Sequence, residues 1–129
     1  MSKILVFGHQ SPDTDSIASA ISMAYLQTKL GEAAEPRRLG EISKETKYAL
    51  DYFKIGEPNF LDRVDDDQEV ILVDHNEPDQ SVENIENASI TMVVDHHRIN
   101  GIKTTEPLYY YAEPVRMYMY YFIQAIYAK

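Results

Sequence analysis

Short apolar runs are the clearest pattern along this chain. Residues 4–7, 70–73 and 90–94 are almost wholly apolar and four or five residues long, as is typical of strands buried on both faces of a parallel sheet. Residues 33–39 predict a further strand, although Pro36 suits only a sheet edge or the first residue of a strand. The pattern therefore predicts at least four strands.

Apolar residues at helical spacing lie between these runs. From Asp15 to Gly31 they recur at positions i, i+3, i+4 and i+7, which predicts a helix that ends at the glycine. Ser43 can cap a second helix that ends near Gly56. The polar stretch between the last two runs has room for a short third helix. Strands that alternate with helices predict an α/β fold, with a mostly parallel sheet flanked by helices.

Two aromatic stretches complete the pattern. Residues 109–111 are three tyrosines, which favour a strand over a surface for stacking nucleic-acid bases. Residues 117–123 are uninterrupted apolar and aromatic and predict a packed terminal helix. This stretch is far shorter than the roughly 20 residues that span a bilayer. We therefore expect no membrane segment.

Composition and charge restrict the range of possible functions. The chain has 129 residues, of which 44% are apolar and 26% charged, which fits one folded domain. Its 12 basic and 21 acidic residues give a formal charge of −9, which repels a nucleic-acid backbone. The lack of cysteine suits a reducing compartment, and the N-terminus lacks a signal-peptide pattern. We expect a cytoplasmic protein that does not bind nucleic acid.

All four histidines follow predicted strands. His9 comes after the first run, His75 after the run at 70–73, and His96 and His97 after the run at 90–94. In open α/β sheets, ligands bind outside the carboxyl ends of the strands. We therefore expect these histidines to meet at one edge of the sheet.

The residue types at this edge predict a metal site. Imidazole nitrogens with several carboxylates suit manganese, cobalt, iron or zinc, and the large share of oxygen makes magnesium conceivable. The candidate ligands are His9, Asp13, Asp15, Asp74 and His96. A carboxylate between two ions would create a two-metal site of the kind that hydrolyses phosphate compounds.

Three neighbouring residues have other expected roles. His97 is the candidate to hydrogen-bond the substrate or to act as an acid. His75 and Asp95 are expected to orient the metal ligands. A structural alternative exists for Asp15 taken alone, because an aspartate that opens a helix is usually an N-cap.

Three segments resemble one known family. They are residues 8–16 (Gly-His-Gln-Ser-Pro-Asp-Thr-Asp-Ser), 73–77 (Val-Asp-His-Asn-Glu) and 94–98 (Val-Asp-His-His-Arg). In this order they resemble the manganese-dependent family II inorganic pyrophosphatases of the DHH phosphoesterase superfamily. The resemblance implies a Rossmann-like DHH domain that binds two Mn²⁺ ions, with Co²⁺ or Mg²⁺ as other options.

The resemblance also implies how the ligands are divided. His9 and Asp13 would bind one ion, Asp15 and His96 would bind the other, and Asp74 would bridge the two.

The implied reaction is the hydrolysis of inorganic pyrophosphate to two phosphates, with His97 contacting the pyrophosphate. The Asp-His-His motif alone also admits phosphodiesterases that act on short nucleotides and exopolyphosphatases, but the Asp-His-Asn-Glu segment and Arg98 favour a pyrophosphatase. Because relatives pair through this domain, a homodimer is an option.

The resemblance extends over nearly all of residues 1–115 and ends there. Arg116 stands where relatives usually have glycine, so we expect 116–129 to be a divergent, apolar and helical tail. Relatives also have a further aspartate ligand and a second domain that clamps the substrate, which we expect to be absent here. The expectation is a truncated DHH domain with impaired hydrolysis, and the alternative is an inactive metal-binding fragment.

Overall fold

One six-stranded sheet organises the part of the chain that the computed structural model describes, residues 3–104 and 106–113. The strands are β1 (Ile4–Phe7), β2 (Ala34–Arg38), β3 (Asn59–Phe60), β4 (Glu69–Val73), β5 (Ser89–Val94) and β6 (Tyr109–Tyr111). Helix α1 (Thr14–Lys29) follows β1, and helix α2 (Lys44–Tyr52) follows β2. The strand order is β3-β2-β1-β4-β5-β6 and every neighbouring pair is parallel. The predicted α/β class is confirmed.

Each face of the sheet buries its own apolar cluster, because successive side chains of a strand point to opposite faces. On one face, Ile4 and Val6 pack with Met23 of α1. On the opposite face, Phe7 packs in a cluster that includes Val82 from the connection between β4 and β5. This burial on both sides explains why the central strands are continuous apolar runs.

Both helices begin at side-chain caps. The Oδ1 of Asp13 accepts a hydrogen bond of 2.9 Å from the backbone N–H of Ser16, so Asp13, and not Asp15, is the N-cap of α1. Ser43 caps α2, as predicted. Helix α2 ends before the predicted Gly56, and the chain then turns through a left-handed residue at position 54.

Two elements differ from the prediction. Strand β3 was not predicted, and it pairs only with Arg37 and Arg38 of β2. At Pro36, therefore, β2 has no partner on that side, which is where a proline is tolerated. The connection between β4 and β5 contains two 3-10 turns, Pro78–Gln80 and Ile85–Asn87, in place of an α-helix.

The remaining predictions concern the end of the chain. The strand predicted at 109–111 is β6 and is confirmed. The tail predicted at 116–129 lies outside the described residues. Within the described ranges, no helix is long and apolar enough to cross a membrane.

Candidate metal centre

The candidate site lies where the strand order reverses. Strand β1 has β2 on one side and β4 on the other, and ligands of open α/β sheets bind at such a point, beyond the carboxyl ends of the strands. A cleft of about 720 Å³ opens there. It is lined by all six residues predicted from the sequence, namely His9, Asp13, Asp15, Asp74, His96 and His97.

The pairing of β4 with β5 brings the key aspartates to the same level. After a register shift in the middle of the pair, Val73 lies opposite Val94. Asp74 and Asp95 therefore follow the two strands side by side. The backbone N–H of Asp74 donates to the carbonyl oxygen of Val94 at 3.0 Å, which continues the ladder by one residue.

A first group of ligand atoms comes from His9, Asp13 and Asp74, and these atoms lie within 4.8 Å of one another. The Nε2 of His9 is 3.5 Å from Oδ2 of Asp74 and 4.0 Å from Oδ1 of Asp13. The hydrogen bond to Asp74 raises the pKa of His9 above its ordinary value, although burial opposes this. The group combines one imidazole with two carboxylates.

A second group contains Asp74, Asp95, His96 and His97, again with ligand atoms within 4.8 Å of one another. The rings of His96 and His97 stack with their centroids 4.5 Å apart. Asp74 belongs to both groups, so its carboxylate could contribute to either of them.

Asp74 is held in place by its backbone and by a buried serine. Its φ angle of 58° lies in the left-handed region, which aspartate enters more readily than most residues. The hydroxyl of Ser16 donates to its Oδ2 at 3.0 Å. Burial would raise the pKa of Asp74, but the hydrogen bonds from His9 and Ser16 outweigh burial and keep this pKa below its ordinary value. The side chain is therefore an ionised carboxylate, as a metal ligand must be.

Asp95 orients His97. The Nδ1 of His97 is 2.6 Å from Oδ1 of Asp95, which is fully buried. The amide of Asn76 donates to the other carboxylate oxygen at 2.7 Å. The Asp95 carboxylate raises the pKa of His97 above its ordinary value. Because Nδ1 contacts Asp95, Nε2 is the ring nitrogen left for a further partner.

Two residues differ from the rest of the predicted set. Asp15 lines the cleft but belongs to neither group of ligand atoms. His75 is 1% exposed, and its ring nitrogens contact the carbonyl oxygen of Val73 at 2.9 Å and the hydroxyl of Ser81 at 3.0 Å. Burial lowers the pKa of His75 to about 4, so its ring is neutral. Its hydrogen bonds thus go to structural groups rather than to a candidate ligand.

The sequence reasoning missed Ser16 and Asn76, which contact Asp74 and Asp95 respectively. The available signal concerned only the N–H of Ser16, which lies three residues after Asp13, where an N-cap side chain receives its hydrogen bond. Asn76 had no comparable signal, because its partner is 19 positions away in the sequence.

The donor set fits a divalent transition metal. Both groups combine imidazole nitrogen with carboxylate oxygen, a mixture that suits manganese and its neighbours. Either group could hold such an ion.

Comparison with known proteins defines the class. The N-terminal domain of the DHH family matches residues 3–125, and the chain belongs to this family. A "Probable manganese-dependent inorganic pyrophosphatase" from Oceanobacillus iheyensis is 58% identical over 115 residues, which cover 89% of this chain and 37% of that protein. The "Manganese-dependent inorganic pyrophosphatase" of Bacillus subtilis is 56% identical over 116 residues, which cover 89% of this chain and 38% of that protein. The predicted resemblance is thus confirmed.

Solved structures agree with this assignment. A Methanococcus jannaschii protein, assigned by name to the family II inorganic pyrophosphatases, superimposes with a TM-score of 0.81 at 40% identity, over 95% of this chain and 40% of that one. An exopolyphosphatase-related protein from Bacteroides fragilis has a TM-score of 0.64 at 11% identity, over 97% of this chain and 40% of that one. At this identity the likeness shows a shared fold and nothing more. The chain spans less than two-fifths of the length of the curated relatives described above.

Proposed function

We propose that the cleft binds two divalent ions, with Mn²⁺ preferred and Co²⁺ or Mg²⁺ as alternatives, and that it hydrolyses inorganic pyrophosphate to two phosphates. The observation that carries the proposal is the position of Asp74, which belongs to both groups of ligand atoms. A carboxylate shared in this way can serve both ions of a two-metal centre. The names of the similar proteins support the choice of metal and substrate.

In this proposal the ligands divide as the sequence resemblance implies. His9 and Asp13 hold one ion, His96 and Asp15 hold the other, and Asp74 contacts both. The first half is supported by the proximity of His9, Asp13 and Asp74. The second half relies on Asp15 reaching the ion from the wall of the cleft that it lines. Divalent ions at such a centre supply positive charge to phosphate oxygens and activate water.

His97 is the proposed contact to the substrate. A protonated ring whose Nδ1 is engaged by Asp95 can donate from Nε2 to a phosphate oxygen. Its hydrogen bond to buried Asp95 fixes the direction of that donor.

We expect slow turnover by this chain. Among the lining residues in the described part of the chain, Arg98 is the only arginine or lysine. Cationic clamps contribute much of the electrostatic stabilisation in phosphoryl transfer. A cleft with one such side chain should therefore hydrolyse pyrophosphate weakly. The alternative is a fragment that binds metal and does not hydrolyse pyrophosphate.

Phosphate release from pyrophosphate tests the proposal. With Mn²⁺ present, the unaltered chain should release phosphate faster than Asp74→Ala, which removes the shared ligand. Asp66→Ala is the matched control, because Asp66 is an exposed loop aspartate outside the cleft. Equal rates for all three proteins would contradict an enzymatic role. Release of nucleoside monophosphates from a dinucleotide, with pyrophosphate untouched, would instead favour a phosphodiesterase.

Three broader expectations remain part of this proposal. They are a cytoplasmic location, supported by the absence of cysteine, a DHH portion at residues 1–115 followed by a divergent tail, and a homodimer. Mass measurement in solution tests the homodimer directly.

A further inference from the structure

We propose that Ser16 is a positioning residue that fixes two metal ligands at once, Asp13 through its backbone N–H and Asp74 through its hydroxyl. This inference rests on the metal binding proposed above. Ser16 lies in the first turn of α1 and is fully buried. Its N–H donates to Oδ1 of Asp13 at 2.9 Å, and its Oγ donates to Oδ2 of Asp74 at 3.0 Å.

The serine also packs against the backbone beside a third ligand. A Cβ added to Gly8 would lie 2.6 Å from Cβ and 2.8 Å from Oγ of Ser16. Gly8 directly precedes His9 at the end of β1. Ser16 therefore joins the end of β1, the start of α1 and the end of β4, which are the three places that supply the first group of ligand atoms.

The hydroxyl has a specific effect on the shared carboxylate. By donating to one oxygen of Asp74, it fixes the rotation of the carboxylate about its bond to the chain. A carboxylate that must face two ions depends on this rotation. Hydrogen-bond partners of metal ligands typically contribute about 10- to 100-fold to metal affinity.

A purely structural role predicts a different result. Ser16 would then help only to start α1, and its loss would lower stability without changing how tightly the folded protein binds metal. A measurement of metal affinity therefore distinguishes the two roles.

The experiment compares Mn²⁺ affinity by calorimetry in the full chain and in Ser16→Ala, which keeps the backbone N–H but lacks the hydroxyl. We expect the variant to bind Mn²⁺ about 10-fold more weakly or worse, with an unchanged circular dichroism spectrum. Ser43→Ala is the matched control, because Ser43 caps α2 and contacts no candidate ligand. Its Mn²⁺ affinity should equal that of the unaltered chain.

The outcomes separate this inference from the function on which it rests. If the unaltered chain binds no Mn²⁺, the proposed function fails and the inference fails with it. If the unaltered chain and Ser16→Ala bind Mn²⁺ equally well, the inference alone is overturned. Should Ser16→Ala not fold, Ser16→Cys replaces it, since its thiol is a weaker donor, and a measurable loss of affinity is again expected.

Discussion

At the scale of single residues, the close contact between Gly8 and Ser16 makes a sharp prediction. In Gly8→Ala the new Cβ would meet the Cβ of Ser16 at 2.6 Å and its Cα at 3.1 Å, so the backbone of α1 must move. Overpacking of this kind costs about 1–3 kcal/mol of stability, which urea denaturation can measure. In Gly56→Ala the added Cβ meets nothing within 4 Å, and stability should stay within about 1 kcal/mol. Equal losses in the two variants would refute the packing argument.

The buried histidine predicts a pH dependence of stability. Burial lowers the pKa of His75 to about 4, whereas the unfolded chain binds a proton near pH 6.5. The contribution of neutral His75 to the free energy of unfolding is therefore complete above pH 6.5. It falls by roughly 3 kcal/mol as the pH drops to about 4. The pKa values of His9 and His97 are raised, so their contributions to the free energy of unfolding fall as the pH rises near neutrality.

Comparison with His75→Gln isolates this effect from the other histidines. The difference in unfolding free energy between the unaltered chain and the variant should shrink as the pH is lowered from 7 to 4, in denaturation series at several pH values. A difference that stays constant over this range would show that His75 is not kept neutral by burial.

The same scale shows how much of the site the sequence could predict. Residues such as His9 and Asp74 were predictable, because a strand end places any side chain that follows it at the functional edge. The role of Ser16 was not, because its hydroxyl partner is 58 positions away and the contact exists only once α1 packs against the sheet. The cap on α1 was predicted at Asp15 in one interpretation and lies at Asp13, since both residues suit a helix start.

At the scale of elements, predictability followed length and burial. Strands β1, β4 and β5 were predicted because burial on both faces requires continuous apolar runs. The two residues of β3 are both exposed and form a strand only by pairing with β2, so their sequence carries no periodic signal. The segment between β4 and β5 was long enough for a helix, yet it forms 3-10 turns that bond to other loops, as in the 2.8 Å hydrogen bond from the N–H of Gln10 to the carbonyl oxygen of Gln80.

Asn76 holds the segment that follows β5 against the end of β4. This buried side chain donates to Oδ2 of Asp95 at 2.7 Å and to the carbonyl oxygen of Arg98 at 3.0 Å, and it accepts from the N–H of Asn100 at 2.8 Å. It therefore fastens residues 95–100, which include His97, to the end of β4.

Asn76→Ala should loosen this segment. The buried Asp95 carboxylate loses a hydrogen bond, which we expect to lower stability by about 2 kcal/mol. Hydrogen exchange should show faster exchange at the amide of Asn100. Asn87→Ala is the control, because Asn87 is exposed and donates to the exposed Asp66 at 3.0 Å, and its stability should change by less than about 0.5 kcal/mol. Unchanged exchange at Asn100 in the Asn76 variant would argue against the connection.

At the scale of the whole molecule, metal binding and folding stability are linked. The chain carries a formal charge of −9, and three of its carboxylates, from Asp13, Asp74 and Asp95, lie in the two groups around the cleft. Cations that bind the folded state neutralise this repulsion. Ligand present at 100 times its Kd stabilises the folded state by about 2.7 kcal/mol, which for a chain of this length raises Tm by roughly 10 °C.

Thermal denaturation with and without Mn²⁺ should show this rise in Tm, and a chelator should reverse it. The two groups share Asp74, so Asp74→Ala should lose most of the rise even though it removes only one charge. Asp66→Ala removes one charge from an exposed loop and should keep the full rise. If both variants respond alike, Mn²⁺ acts by general screening of an acidic protein, whereas loss of the response in Asp74→Ala alone locates the stabilising ions in the cleft at the ends of β1, β4 and β5.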